Sequence, residues 1–189
     1  NGNHGTISGA TYVNGVGAAV AQSAVIDWNK GVNILDNSEN FSGWTTETGT
    51  TITSDSIAAP DGLTTADTIT SSASTIINQR QVISSMTSGA DYVFSVWLKK
   101  KSTDNIQIYA FDTDAASFVS LAQINLNNGD VTDINGTGAT AESYANGWYR
   151  FSIYFNASST TLSHGIYTDT AGAADVYAWG GQSEQSDTL

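Results

Sequence analysis

The chain has 189 residues, no Cys and a formal net charge of −12 at pH 7. The absence of Cys excludes disulfide scaffolds, thiolate zinc sites and cysteine nucleophiles, and the acidic balance disfavours nucleic acid and anionic lipid as partners. No apolar run approaches the roughly 20 residues that cross a bilayer, so membrane insertion is not expected.

The predicted elements fall into two regions along the chain. Residues 1–30 are rich in Gly and small apolar residues, and we interpret them as an N-terminal arm or linker. Over residues 31–189, short alternating runs lie between clusters of Gly, Asn, Asp, Ser and Thr, which is typical of an all-β domain. Strands are predicted over 65–70, 74–83, 91–99, 105–111, 118–125, 131–134, 139–144, 148–156, 162–168 and 175–180. The turn Asn127-Asn128-Gly129-Asp130 predicts a hairpin, and the number of strands predicts a β-sandwich or jelly roll.

Two of these strands carry aromatic side chains on both faces. An extended strand sends alternate side chains to opposite sides. The predicted core-facing residues are Tyr92, Phe94, Val96 and Leu98 in one strand, and Tyr149, Phe151, Ile153 and Phe155 in the other. The predicted outward residues are Val93, Ser95, Trp97 and Lys99, and Trp148, Arg150, Ser152 and Tyr154.

The outward aromatic residues suggest a surface that binds a ligand. If the two strands are neighbours, Trp97, Trp148, Arg150 and Tyr154 form one patch, on which a sugar can stack its C–H face while the guanidinium binds hydroxyl or carboxylate groups. An alternative is that a loop, the N-terminal arm or a neighbouring subunit covers these side chains. On a third strand, Gln79 and Gln81 are predicted to contribute amide groups that bind hydroxyls, although a solvated sheet face is an equally valid interpretation.

Five segments in order resemble a carbohydrate-binding-module-like domain that is common in phage tail and other virion proteins. The segments are 33–41 followed by Trp44-Thr45, Ala59-Pro60-Asp61-Gly62 followed by Thr65-Ala66-Asp67, 92–99, Gly147-Trp148-Tyr149-Arg150, and Trp179-Gly180-Gly181-Gln182-Ser183-Glu184. The resemblance implies a jelly-roll β-sandwich of the carbohydrate-binding-module or galactose-binding type, a role in sugar recognition or attachment, and no catalysis. Residues 1–12 are also similar to the opening strand region of laminin-G-like, concanavalin-type lectin domains.

The resemblance also raises the question of a structural Ca²⁺, because sugar-binding jelly rolls often hold one between the chain ends. Calcium takes six to eight oxygen ligands, and the candidate ligands are Glu39, Glu184 and Asp67. The alternative is that these acids cap loops or remain solvated.

We therefore expect a non-enzymatic domain of a phage tail, fibre or capsid-surface protein that binds cell-surface carbohydrate. It would lie outside the cell or on the virion surface, and other virion subunits, with homo-oligomerisation, would be its protein partners. No nucleophile elbow, phosphate loop or HExxH motif indicates an enzyme. Two alternatives remain open at this point: a purely structural assembly or decoration protein, and a carbohydrate-binding module from a polysaccharide-degrading enzyme.

Overall fold

The computed structural model describes residues 31–136 and 138–186, together with two short paired strands before them, β1 (Tyr12–Val13) and β2 (Ala19–Val20). The predicted arm over residues 1–30 and its boundary with the sandwich otherwise lie outside the described residues. None of the helices in the described part of the chain has the length and apolar character needed to span a membrane.

Twelve further strands form two six-stranded antiparallel sheets. Sheet I has the order β10-β9-β8-β13-β6-β3, and sheet II has the order β11-β12-β7-β14-β5-β4. The strands are β3 (Thr45–Thr46), β4 (Thr50–Ile57), β5 (Ala66–Ser71), β6 (Asn78–Ile83), β7 (Asp91–Lys100), β8 (Asn105–Asp112), β9 (Ser117–Asn125), β10 (Val131–Asn135), β11 (Ala139–Ser143), β12 (Trp148–Asn156), β13 (Leu162–Tyr167) and β14 (Ala174–Gln185). Short 3-10 turns cover Phe41–Gly43 and Ala145–Gly147. The all-β jelly-roll β-sandwich is confirmed.

The core lies between the two sheets and is filled by the predicted alternate residues. From β7 and β12 it receives Tyr92, Phe94, Val96, Leu98, Phe151, Ile153 and Phe155, all buried. Sheet I contributes chiefly Ile106, Ile108, Ala110, Ile124, Leu162 and Ile166. Because β7 and β12 are neighbours in sheet II, their outward side chains share one surface, which is the condition that the predicted patch requires.

Two features of the strand plan were not predicted. Strands β3 and β4 are composed mainly of Thr and Ser, so they lack the apolar alternation that marks a half-buried strand. Strand β14 runs on to Gln185, and a register shift between Trp179 and Gln182 interrupts its pairing with β7. The predicted hairpin is confirmed, because Gly129 adopts φ 80° in the turn that joins β9 to β10.

Candidate ligand-binding site

The predicted aromatic patch lies on the outer face of sheet II. Arg150 of β12 pairs with Trp97 of β7, and Trp97 pairs with Trp179 of β14. Tyr154 is half-buried at the other end of the same face. The structure therefore brings Trp97 and Arg150 together, whereas the predicted patch member Trp148 is buried.

Trp148 is covered by a segment of chain rather than open to a ligand. Its side chain is only 1% exposed and packs with Ala59, in the connection from β4 to β5, and with Ala66, the first residue of β5. The indole Nε1 of Trp179 donates to Thr65 Oγ1 at 3.0 Å, which ties the same connection to β14. The loop-covered alternative for Trp148 is therefore the arrangement found, and its inclusion in the ligand patch is corrected.

The remainder of this surface is ordered by polar contacts around Arg150. Its guanidinium donates to Gln182 Oε1 at 2.9 Å and to Ser95 Oγ at 3.4 Å. The half-buried Trp97 ring meets Tyr144 edge-on, with ring centroids 5.4 Å apart, and Tyr144 is 54% exposed. Ligand binding by Trp97, Arg150 and Tyr154 stays a prediction.

The amide side chains of Gln79 and Gln81 on β6 lie on the face opposite to the predicted one. Gln79 is fully buried, and its amide Nε2 donates to the backbone oxygen of Phe41. Gln81 exchanges two hydrogen bonds of 2.8 Å with the backbone of Asp36. Both amides thus hold the 36–41 segment across the end of the sandwich, so the prediction of an outward amide face is wrong. The outward residues of β6 are Asn78, Arg80 and Val82.

The three acids considered for calcium do not converge. Buried Asp67 accepts the backbone N–H groups of Phe41 at 2.9 Å and Asp55 at 3.0 Å, and its burial raises its pKa despite these bonds. Glu39 is exposed and Glu184 is half-buried. Within residues 31–136 and 138–186, no three His, Asp or Glu side chains are grouped so as to hold a metal ion. Asp67 anchors the backbone, and calcium binding stays a prediction that a thermal-shift titration with CaCl₂ would test.

A groove that the sequence reasoning missed lies on the outer face of sheet I. It encloses ≈ 540 Å³ and crosses β6, β13, β8 and β9. The lining residues are Glu47, Asn78, Arg80, Val82, Tyr109, Phe111, Thr113, Phe118, Ser163 and Tyr167. Cavities that bind small molecules commonly have volumes of about 300–1,000 Å³ and combine apolar walls with a few polar groups, so this groove has the size and composition of a ligand site.

Four aromatic rings form one cluster in this groove. Phe118 meets Tyr109 at 5.6 Å and Phe111 at 5.2 Å between ring centroids, both edge-to-face. Tyr167 meets Tyr109 edge-on at 6.1 Å. Tyr109 is buried as the floor, whereas Phe111, Phe118 and Tyr167 are half-buried and keep part of their rings open. The cluster fixes the orientation of its rings without a ligand.

The floor position of Tyr109 depends on a glycine in the next strand. A Cβ added to Gly165 would lie 2.7 Å from Tyr109 Cζ and 2.7 Å from its hydroxyl oxygen, closer than side chains approach one another. Gly165 pairs directly with Tyr109, so the tyrosine ring lies over the bare backbone of β13. Gly is needed here because another backbone or ring approaches closely.

Polar groups line one end of the groove. The Tyr109 hydroxyl donates to Asn78 Oδ1 at 2.8 Å, and burial raises the pKa of this tyrosine, so it remains a neutral hydrogen-bonding group. Arg80 Nη1 lies 3.7 Å from Glu47 Oε2, with the two side chains 32% and 45% exposed. The backbone N–H of Glu47 donates to the backbone carbonyl oxygen of Asn78 at 3.2 Å, which holds Glu47 next to β6.

The sequence did contain a signal for this groove. In β8, the small and aliphatic residues Ile106, Ile108 and Ala110 alternate with Gln107, Tyr109 and Phe111, so two rings two residues apart lie on the face opposite the core. The same period-two argument that was applied to 91–99 and 148–156 identifies them.

Comparison with known proteins gives the fold but no family. No family model and no curated protein matches the sequence. Among solved structures, the bacteriophage CBA120 tailspike protein 4 enzymatically active domain is similar with a TM-score of 0.52 and 14% identity, over 82% of this chain and 21% of that chain. The chain thus spans about a fifth of that tailspike structure.

Two further similar structures are covered almost completely. A putative sugar-binding protein from Bacteroides thetaiotaomicron aligns with a TM-score of 0.49 and 13% identity, over 82% of this chain and 100% of that chain. The structure of TmCBM61 in complex with β-1,4-galactotriose aligns with a TM-score of 0.49 and 14% identity, over 82% and 99%. The fold shared with the tailspike domain, at a TM-score of 0.52, is a β-sandwich.

Proposed function

We propose that this chain is a non-enzymatic carbohydrate-binding domain whose ligand lies in the sheet I groove. The observation that carries the proposal is the cluster of three partly open rings, Phe111, Phe118 and Tyr167, beside polar groups at one end of a ≈ 540 Å³ cavity. Aromatic rings offer flat apolar faces for the C–H side of a sugar, and the amide, hydroxyl and guanidinium groups supply donors and acceptors for its hydroxyls. The resemblance of five sequence segments to carbohydrate-binding-module-like domains supports the same class of ligand.

The finer proposal places this domain on the surface of a virion, in a tail, fibre or capsid-surface protein. It is supported by the sequence resemblance to virion domains and by the tailspike structure with the same fold. Individual sugar contacts are weak, so we propose several copies per particle that act by avidity. A module attached to a polysaccharide-degrading enzyme would use the same groove, and the sequence on either side of the domain would separate the two.

The groove can be tested against the patch on sheet II with one matched pair of variants. We expect Tyr167→Ala to weaken binding of a glycan identified on an array by about tenfold, since an aromatic contact contributes about 0.5–1.5 kcal/mol beyond its buried area. Tyr144→Ala makes the same change on the outer side of sheet II and should leave the affinity unchanged. Calorimetry with both folded variants measures the difference.

The opposite result would contradict the assignment of the ligand to the sheet I groove. If Tyr144→Ala or Trp97→Ala abolishes binding and Tyr167→Ala does not, the ligand lies on sheet II as the sequence first suggested. If no glycan binds, the exposed Tyr144 next to Trp97 favours a second function, in which sheet II is an assembly surface for a neighbouring virion subunit. Covering of Tyr144 in the assembled particle would support that function.

A further inference from the structure

Charge in the sheet I groove is confined to one pair of side chains. Arg80 is the only Lys or Arg in the six strands of sheet I. Its guanidinium lies 3.7 Å from the carboxylate of Glu47, and both residues line the groove. The groove therefore presents a cation and an anion side by side, and its lining carries no net charge.

From this arrangement we propose that the domain selects neutral sugars, and that Glu47 is the residue that excludes acidic ones. The inference rests on the proposed carbohydrate-binding function of the groove. A guanidinium alone would bind the carboxylate of a uronic or sialic acid as a bidentate partner. With Glu47 beside Arg80, a ligand carboxylate that reaches Arg80 must also lie close to a second negative charge.

Neutral sugars can use both members of the pair without such a conflict. A carboxylate only accepts hydrogen bonds, whereas a guanidinium only donates them. One hydroxyl of a sugar can donate to Glu47 while the next accepts from Arg80, so adjacent hydroxyls satisfy both groups. The position of Glu47 is built into the fold, because its backbone N–H is bonded to the Asn78 oxygen on the same strand as Arg80.

The net charge of the whole chain acts in the same direction. At −12 the protein repels polyanions over distances of about a Debye length, roughly 8–10 Å at physiological salt. This long-range term slows the approach of any acidic polysaccharide, whereas Glu47 acts at contact distance. The two effects are separable, since a substitution that neutralises Glu47 removes the repulsion at contact distance and changes the net charge of the chain by only one unit.

The experiment compares matched neutral and acidic oligosaccharides on the full chain. The probes are hexamers of galactose and galacturonic acid with the same linkage, and hexamers of glucose and glucuronic acid, each measured by calorimetry. We expect the wild-type protein to bind at least one neutral hexamer and to bind its acidic counterpart at least about fivefold more weakly, since two like charges about 4 Å apart in water repel by about 1 kcal/mol. Affinity for the neutral hexamer should change little when NaCl is raised from about 50 to about 500 mM.

Glu47→Gln should raise the affinity for the acidic hexamer by at least about fivefold, to or above that for the neutral one. Glu142→Gln makes the same change of charge on exposed strand β11 of sheet II and should have no such effect. Stronger wild-type binding of an acidic hexamer, or equal responses of the two variants, would overturn the selectivity while leaving carbohydrate binding intact. Absence of binding to all four probes and to a wider glycan array would instead remove the proposed function, and the inference with it.

Discussion

Burial of His164 should make this sandwich sensitive to mild acid. His164 lies on the core-facing side of β13, fully buried between Phe94, with ring centroids 5.3 Å apart, and Phe155, at 5.2 Å. Neither of its ring nitrogens has a hydrogen-bond partner among the described residues. Burial therefore lowers the pKa of His164 from its ordinary 6.5 to about 3, because an imidazolium in this apolar site would be neither hydrated nor paired.

The direction and size of the effect follow from proton linkage. The unfolded chain binds a proton at His164 below about pH 6.5, whereas the folded protein does not until about pH 3, so acid favours unfolding. The stability associated with neutral His164 is complete above about pH 6.5 and is lost progressively as the pH falls. At about pH 5 the loss is about 2 kcal/mol, and at about pH 4 it is about 3 kcal/mol.

Three carboxyl groups with lowered pKa values affect stability below the pH range in which His164 acts. Asp104 and Asp112 have lowered pKa values, chiefly through hydrogen bonds from Lys100 and Ser158. At Asp175 burial acts to raise the pKa, but the contacts from Ser102 and Lys101 together lower it. Their contribution to stability is lost only as the pH falls below the ordinary carboxyl value of 3.8. Asp67 has a raised pKa and acts in the opposite direction, since its folded form takes up a proton more readily than its unfolded form.

The assay is urea unfolding followed by tryptophan fluorescence at a series of pH values from about 7.5 to about 4.5. His164→Leu is the comparison, since it keeps an apolar side chain of similar size and loses no hydrogen bond to the described residues. It retains His4, so protonation there affects both proteins equally. The wild-type protein should lose about 2 kcal/mol by about pH 5 while the variant loses little. A wild-type loss below about 0.5 kcal/mol, or the same loss in both, would refute the reasoning.

Two further substitutions test the arrangement around each sheet. Gly165→Ala should displace the Tyr109 ring, costing about 1–3 kcal/mol in urea unfolding and weakening glycan binding; unchanged values for both would show that the ring does not need the bare backbone. Asp67→Asn leaves one carbonyl oxygen to accept the N–H groups of both Phe41 and Asp55, so it should cost about 1–3 kcal/mol. Wild-type stability in that variant would mean that solvent can replace one of the two bonds.

The sequence predicted the parts of the fold that depend on alternation. In β7 and β12, every second side chain is large and apolar, and all of the predicted core residues except the half-buried Tyr149 are buried. Three residues that were predicted to face outward, Ser95, Trp148 and Ser152, are buried as well. These strands are paired, so Trp97 lies next to Arg150, as the sequence predicted for the case in which the two strands are neighbours. These features are local, since a two-residue period can be read from a single strand.

The errors arose where a distant segment decides the environment of a strand. Gln79 faces the core because a backbone oxygen 38 residues away, on Phe41, accepts its amide proton. Gln81 is matched by Asp36, 45 residues away. Polar side chains on an alternating strand were predicted to face solvent. Here the amides of Gln79 and Gln81 instead form the hydrogen bonds that water would otherwise make to the backbone of the 36–41 segment. Nothing within β6 itself distinguishes these two roles.

The sequence predicted a ligand surface on sheet II, whereas our proposal places the ligand on sheet I. Both sheets carry aromatic residues on their outer faces, so alternation alone does not choose between them. On sheet II, the connection between β4 and β5 covers Trp148 and bonds to Trp179, and Trp97 is half-buried beside the exposed Tyr144. On sheet I, the described chain leaves a groove over β8, β13 and β6, and Gly165 deepens it by letting Tyr109 lie against the backbone. Our proposed choice of face therefore depends on where one loop covers sheet II and where one strand of sheet I lacks a side chain. Outward tryptophan residues on a strand therefore indicate a face that is covered by the protein's own chain as readily as a face that binds a ligand.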